Sequence, residues 1–154
     1  MKYIIATSVQ EYEEAKKLFT EYATWLNIDL CFQNFAKELD EIEKMYAADS
    51  GGIFLCFDAD KYIGCSAIRR IDDMSCELKR MWVQQNYQGK GIGEELLKKC
   101  IELAKQLNYK TIRLDTLSRL QPAIQLYKKY GFEETSSYYN NPNPDVVYMK
   151  KELY

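Results

Sequence analysis

Gln88-Gly89-Lys90-Gly91-Ile92-Gly93 stands between an apolar run that ends at Val83 and an amphipathic run that continues to Leu107. A strand, a glycine-rich turn and a helix in that order aim free backbone amides and the positive end of a helix dipole at one point, an anion site suited to phosphate. Glycines let the backbone approach such an anion without a Cβ in the way. Spacing excludes two phosphate-binding patterns. A Walker loop needs Ser or Thr after Gly-Lys, where this chain has Gly91, and the dinucleotide fingerprint needs glycine at 94 or 96, where it has Glu94 and Leu96. The plain alternative is a loop that only turns the chain.

The helix after the turn carries Ile92, Leu96, Leu97, Cys100, Ile101, Ala104 and Leu107 on one face and Glu94, Glu95, Lys98, Lys99, Glu102 and Lys105 on the other. Upstream, Ile53 to Phe57, Tyr62 to Ile71 and Cys76 to Val83 read as strands joined by Asp-rich turns, hence as antiparallel neighbours. Tyr3 to Ala6 is a further short strand. Ser8 and Glu11 have the spacing of a capping box, and Tyr12, Ala15, Phe19, Tyr22 and Leu26 then recur at helical intervals. A second helix is expected from about Asn34, with Phe35, Leu39, Ile42 and Tyr46 on one face. Downstream, Thr111 to Asp115 follows a crossover helix and should pair in parallel with an earlier strand. Pro122 and Gly131 bracket a short helix, and Val146 to Met149 forms the last strand. The expected architecture is a mixed α/β sheet with helices packed against it, in one domain of 154 residues.

Composition narrows the function. Lys and Arg total 21 against 23 Asp and Glu, a net charge of -2, which argues against nucleic acid as partner. No apolar run reaches the ~20 residues that span a bilayer, and the N-terminus lacks the build of a signal peptide, so no membrane partner and a cytoplasmic location are expected. Five cysteines without a C-x-x-C pair read as reduced packing thiols. Histidine is absent, which excludes Ser-His-Asp and Cys-His catalysis and leaves no metal site expected.

The run from Glu77 to Phe132 resembles the GNAT superfamily of N-acetyltransferases. Gln88, Gly91 and Gly93 match that family's Gln/Arg-x-x-Gly-x-Gly/Ala pyrophosphate loop. Glu77-Leu78-Lys79-Arg80-Met81-Trp82-Val83 is similar to its fourth strand, and Ala123 to Phe132 to its Ala-x-x-Leu-Tyr-x-x-x-Gly-Phe segment. One departure is Leu120, where many relatives carry an Asn that touches the cofactor or a catalytic water. The resemblance implies a GNAT-type mixed, mostly antiparallel sheet flanked by helices. It also implies transfer of an acetyl group from acetyl-CoA, as co-substrate, to a primary amine of a small molecule or protein.

The roles below are what the resemblance implies. Gln88, Gly89, Lys90, Gly91, Ile92 and Gly93, with Glu94, hold the CoA pyrophosphate. The backbone of Met81, Trp82 and Val83 runs beside the pantetheine arm. Tyr127 protonates the departing thiolate; by periodicity alone it is a core aromatic. Glu77 is the general base, with Asp115 as competitor, and either carboxylate could instead be an ion-pair partner of Lys79, Arg80 or Arg113. Lys90, Lys128 and Lys129 either meet further CoA phosphates or are solvated surface lysines, the commoner case.

The resemblance also implies that the acceptor enters between the first two helices and the last strands, where Trp25, Leu26, Cys31, Phe32 and Phe35 either line the mouth or belong to the core. Asp29, Glu38, Asp40, Glu41 and Glu43 would draw a cationic amine there or form a solvated helix face. Arg69, Arg70 and Arg80 would hold a carboxylate. These clues leave the acceptor open. A homodimer is compatible with the resemblance, and the rival function is a non-catalytic acyl-CoA sensor on the same fold.

Overall fold

Strand β2 (Gly52–Asp58) sends Phe54 and Cys56 to one face of the sheet and Ile53 and Leu55 to the other, as a side-chain period of two requires. Each face is then covered by helices with a matching apolar stripe. The computed structural model, which describes residues 1–30 and 33–154, orders the elements as β1 (Lys2–Ile5), α1 (Val9–Leu26), α2 (Phe35–Asp40), α3 (Ile42–Met45), β2, β3 (Lys61–Arg70), β4 (Ser75–Val83), α4 (Ile92–Gln106), β5 (Thr111–Leu117), α5 (Gln121–Lys129), β6 (Glu133–Thr135) and β7 (Val146–Glu152). The strands form one sheet in the order β1-β2-β3-β4-β5-β7-β6. Among the described residues only β4 and β5 pair in parallel; the other pairings are antiparallel.

On one face, Ile92, Leu96, Leu97, Cys100 and Ala104 of α4 and Ile124 and Tyr127 of α5 pack against Cys56, Ile63, Cys76 and Leu78. On the other, Ala15, Leu18 and Phe19 of α1 meet Leu55, Cys65, Ala67 and Trp82. Ser8 and Glu11 close the expected capping box at the start of α1. Cys56, Cys65, Cys76 and Cys100 are free and buried, as packing thiols should be; Cys31 and Phe32 lie outside the described residues. Among the described residues no helix is long and apolar enough to cross a membrane.

Two local features depart from the sequence reading. The second helix is two short ones, because the backbone leaves helical geometry at Glu41 (φ -110°, ψ 26°). The two pieces reach different elements of the fold. Glu38 of α2 reaches Arg80 of β4, while Tyr46 after α3 packs edge-on against Phe19 at 5.9 Å. Strand β6 was not anticipated, since its three polar residues at a sheet edge carry no apolar alternation.

A bulge in β4 shapes everything that follows. Cys65 pairs with Trp82 and Ala67 with Lys79, so Ser66 of β3 stands opposite both Arg80 and Met81. Arg80 takes a left-handed backbone conformation (φ 58°), rare for a residue with a side chain. Just before the bulge, the parallel ladder with β5 ends at Glu77↔Arg113. Beyond that pair the facing edges of β4 and β5 separate, while β5 stays paired to β7 along its length. The sheet therefore opens between its two central strands.

Candidate functional site

The opening holds two cavities that share a wall. The larger, about 690 Å³, runs from the glycine turn and the start of α4 (Tyr87, Gln88, Gly89, Gly91, Ile92, Gly93, Glu94), past Met81, Trp82 and Val83, to Leu120, Ala123, Leu126 and Tyr127. The smaller, about 50 Å³, lies beside the C-terminal end of α1 and is lined by Gln33, Lys79, Arg80, Asp115 and Asn141 among apolar side chains. Tyr22, Met81, Thr116, Leu120 and Tyr127 belong to both.

The turn has the build of an anion site. Gly89 (φ 78°) and Gly91 (φ 81°) sit in the left-handed region, and open space surrounds the position a Cβ would take at each. Gly91 is the N-cap of α4, and no side chain caps the first-turn amides. Those amides are the orphan donors of a helix start, and the dipole adds positive potential there. Gln88 fixes the turn to the sheet by donating from Nε2 to the Val83 carbonyl at 2.8 Å. Glu94 is engaged sideways, accepting from Lys129 Nζ at 2.7 Å and Tyr130 Oη at 2.6 Å, so it joins α4 to α5. Lys90, which does not line the cavity, lies over the Tyr87 ring at 5.4 Å.

At the other end of the large cavity stands Tyr127. Its ring packs on Phe132 at 5.7 Å, which is the core contact that periodicity suggested. Its hydroxyl nevertheless has no hydrogen-bond partner among the described residues, and no fully enclosed polar side-chain atom is left unpartnered there, so the hydroxyl opens on the cavities. Burial raises the phenol's pKa well above its ordinary value, with Tyr22, Cys100 and Asp115 adding to the effect, so it stays protonated.

The two candidate carboxylates differ in surroundings. Glu77 is buried and held by Arg69 Nε at 2.7 Å, Tyr138 Oη at 3.0 Å and, at 3.8 Å, Lys79. Burial alone would raise its pKa, yet Lys79 and Arg69 beside it hold it below the usual carboxylate range. Its partners are thus Arg69 and Lys79 rather than Arg80 or Arg113, and it does not line either cavity. Asp115 lines the small cavity. Tyr139 Oη and Asn141 Nδ2 (2.7 Å) both donate to its Oδ2, and among the described residues no donor reaches Oδ1.

Charges expected to be solvated or substrate-facing are instead used internally. Glu38 is 1% exposed and accepts from Arg80 Nε at 3.1 Å, Arg80 Nη2 at 2.7 Å and Tyr46 Oη at 2.7 Å. Arg80, whose guanidinium lies over the Phe35 ring at 5.3 Å, therefore has its fork filled by a carboxylate of the chain itself. Of the expected mouth residues, Trp25 lines the large cavity, Leu26 the small one, and Phe35 supports Arg80. Gln33, Tyr139 and Asn141 were not singled out. Asn141 stands in the Asn-Pro-Asn-Pro loop, a signal of a fixed turn that gave no hint of its contact with Asp115.

Comparison with known proteins agrees with this architecture. A model of the Acetyltransferase (GNAT) family matches residues 12–132. An uncharacterized N-acetyltransferase of Schizosaccharomyces pombe is 36% identical over 146 residues, covering 94% of this chain and 90% of the relative. A GNAT acetyltransferase structure from Staphylococcus aureus superposes with a TM-score of 0.81 at 24% identity, covering 99% of this chain and 100% of the other. A GNAT acetyltransferase from Elizabethkingia anophelis, solved with acetyl-CoA bound, gives a TM-score of 0.60 at 28% identity over 73% of this chain and 82% of its own. The mixed sheet, its glycine turn and these matches along nearly the whole chain lead to one conclusion: this protein belongs to the GNAT family of acetyltransferases.

Proposed function

We propose that the protein transfers an acetyl group from acetyl-CoA to a primary amine, with both reactants meeting at Tyr127. The observation that carries this reading is the unpaired edge of β4 between Glu77 and Val83, which leads from the glycine turn to the free hydroxyl of Tyr127. Pantetheine is an extended chain with two amides, and an unpaired strand edge is the partner such a chain needs. The amides at the start of α4, with Gly89, Gly91 and Gly93 beside them, suit the diphosphate. The Elizabethkingia relative binds acetyl-CoA, which supports the same choice here.

In this reading the amine nitrogen attacks the thioester carbon, the C–N bond forms and the C–S bond breaks. The thiolate takes the Tyr127 proton, and the proton leaving the nitrogen passes to a carboxylate. We assign that carboxylate to Asp115, because it lines the cavity that meets Tyr127, whereas Glu77 is enclosed by its cationic partners. Solvent then returns a proton to Tyr127 and removes one from Asp115. Calorimetry with acetyl-CoA, ATP and NAD, followed by a thiol-release assay over amines, tests the reading. Acetyl-CoA alone should bind, and an amine should release CoA thiol. Binding without thiol release from any amine would favour an acyl-CoA sensor.

A further inference from the structure

The small cavity contains a cation with no adequate partner among the described residues. Arg80 is matched by Glu38 and Arg69 by Glu77, both with contacts of 2.7 Å. Lys79 is not matched in that way. Its side chain is 7% exposed, and among the described residues its ammonium reaches only Gln33 Oε1 at 3.5 Å and Glu77 Oε1 at 3.8 Å. Hydrogen bonds from N–H to O cluster near about 2.9 Å, so three donors share two weak contacts. A buried ammonium in that state is costly unless something completes its shell. Burial presses the Lys79 pKa downward while Glu77 opposes it, and an arriving anion would add to the Glu77 side.

What that anion belongs to follows from position. Lys79 lines the small cavity and not the one beside the glycine turn, so it faces the acceptor rather than the phosphates of CoA. A hydrogen-bonded chain links it to the proposed base: Lys79 to Gln33 Oε1, Gln33 Nε2 to Tyr139 Oη at 2.6 Å, and Tyr139 Oη to Asp115 Oδ2. One wall thus presents a cation and a carboxylate at a fixed separation, the complement of a molecule that carries an acid and an amine.

We propose that Lys79 receives the acid group of the acceptor, which is therefore a small amino acid rather than a simple amine or a protein. The narrowness of the cavity, about 50 Å³, leaves room for a carboxylate and little more beside the shared wall, which disfavours a polypeptide. The proposal rests on the acetyltransferase reading above and narrows its substrate.

The test compares α- and β-amino acids, each with its primary carboxamide and its decarboxylated amine, in the acetyl-CoA thiol-release assay. A site with a buried polar group left unpaired by the wrong ligand discriminates strongly, so the acid should lead both analogues by about tenfold or more in kcat/KM. Lys79→Met should raise KM for the amino acid and shrink that lead to about threefold or less, with acetyl-CoA affinity unchanged, and Lys79→Arg should restore part of it. Carboxamides or plain amines used as well as the acids would overturn the proposal, as would an undiminished preference in folded Lys79→Met. Lysine-containing peptides outperforming every amino acid would overturn it too. The wild-type comparison stands even if the variants misfold. Acetyl-CoA binding without turnover of any amino acid would refute this proposal alone, whereas failure to bind acetyl-CoA would remove the reading beneath it.

Discussion

The guanidinium of Arg80 grips both oxygens of Glu38 at the one point of β4 where a residue with a side chain holds a left-handed backbone. That conformation costs about 1–2 kcal/mol, and a buried two-point ion pair is well suited to offset it.

Removing the carboxylate should therefore cost stability and open the site. Breaking a buried pair from one side costs about 3–5 kcal/mol, so Glu38→Gln should lower the melting temperature markedly. In wild type, burial would raise the Glu38 pKa, but Arg80 holds it below the usual carboxylate range. The stability this supplies is present in full above the unfolded value of about 4.3 and is lost as pH falls through the lower folded value. Thermal melts of the two proteins should differ most near neutrality and converge in acid.

A second prediction separates ligand approach from backbone strain. At Gly91 any side chain would be strained by the positive φ itself. At Gly93 the φ is ordinary, and an added Cβ would meet only Val83 Cγ2 at 3.9 Å. Gly93→Val should therefore fold normally and still lose acetyl-CoA affinity by about tenfold or more, because the obstruction appears only when a diphosphate is present. Unchanged calorimetric affinity in that variant would dismiss the turn as the phosphate site.

Tyr127→Phe removes a hydroxyl that bonds to nothing within the described protein while keeping the ring against Phe132. Stability should change by less than about 1 kcal/mol. If the hydroxyl supplies the leaving-group proton, kcat should fall by roughly ten- to a thousandfold with little change in acetyl-CoA affinity. Wild-type turnover would return the residue to a packing role.

The carboxylates are told apart by pH. An alkylammonium titrates near about 10, so little of it is nucleophilic at neutrality without a base. Asp115→Asn should depress kcat/KM at neutral pH and recover part of the loss as pH rises and free amine accumulates. Glu77→Gln should instead unbalance Arg69 and Lys79 and show mainly as lost stability, without that recovery. An exchange of these two pH profiles would move the base to Glu77.

The layers of the fold were legible because their signals are local. The α4 stripe, the capping box at Ser8 and the glycine turn each need only neighbouring residues to be recognised. Glu38 was misjudged because its partner lies on another strand, and nothing in Lys37-Glu38-Leu39-Asp40 distinguishes a buried acid from a solvated one. Glu77 was placed on the right strand, but its ties to Arg69 and Tyr138 depend on a register and a loop that no spacing encodes. Asp115 could be read as ending a strand; that Tyr139 and Asn141 would cross to it could not.

The bulge also reverses parity. Before it, Cys76 and Leu78, even-numbered, join the core beneath α4, while Glu77 and Lys79 face the other way. After it, the odd-numbered Met81 and Val83 turn toward α4 and Trp82 joins the core beneath α1. The changeover lets two consecutive residues, Lys79 and Arg80, project to one side, which a regular strand forbids. Two cations at adjacent sequence positions thereby divide the labour, one bound to the scaffold and one left to the cavity. Deleting a single residue there would do more than shorten the strand. It would erase the bulge and restore plain alternation, with Trp82 still in the core beneath α1 but only one of the two cations left on the acceptor side.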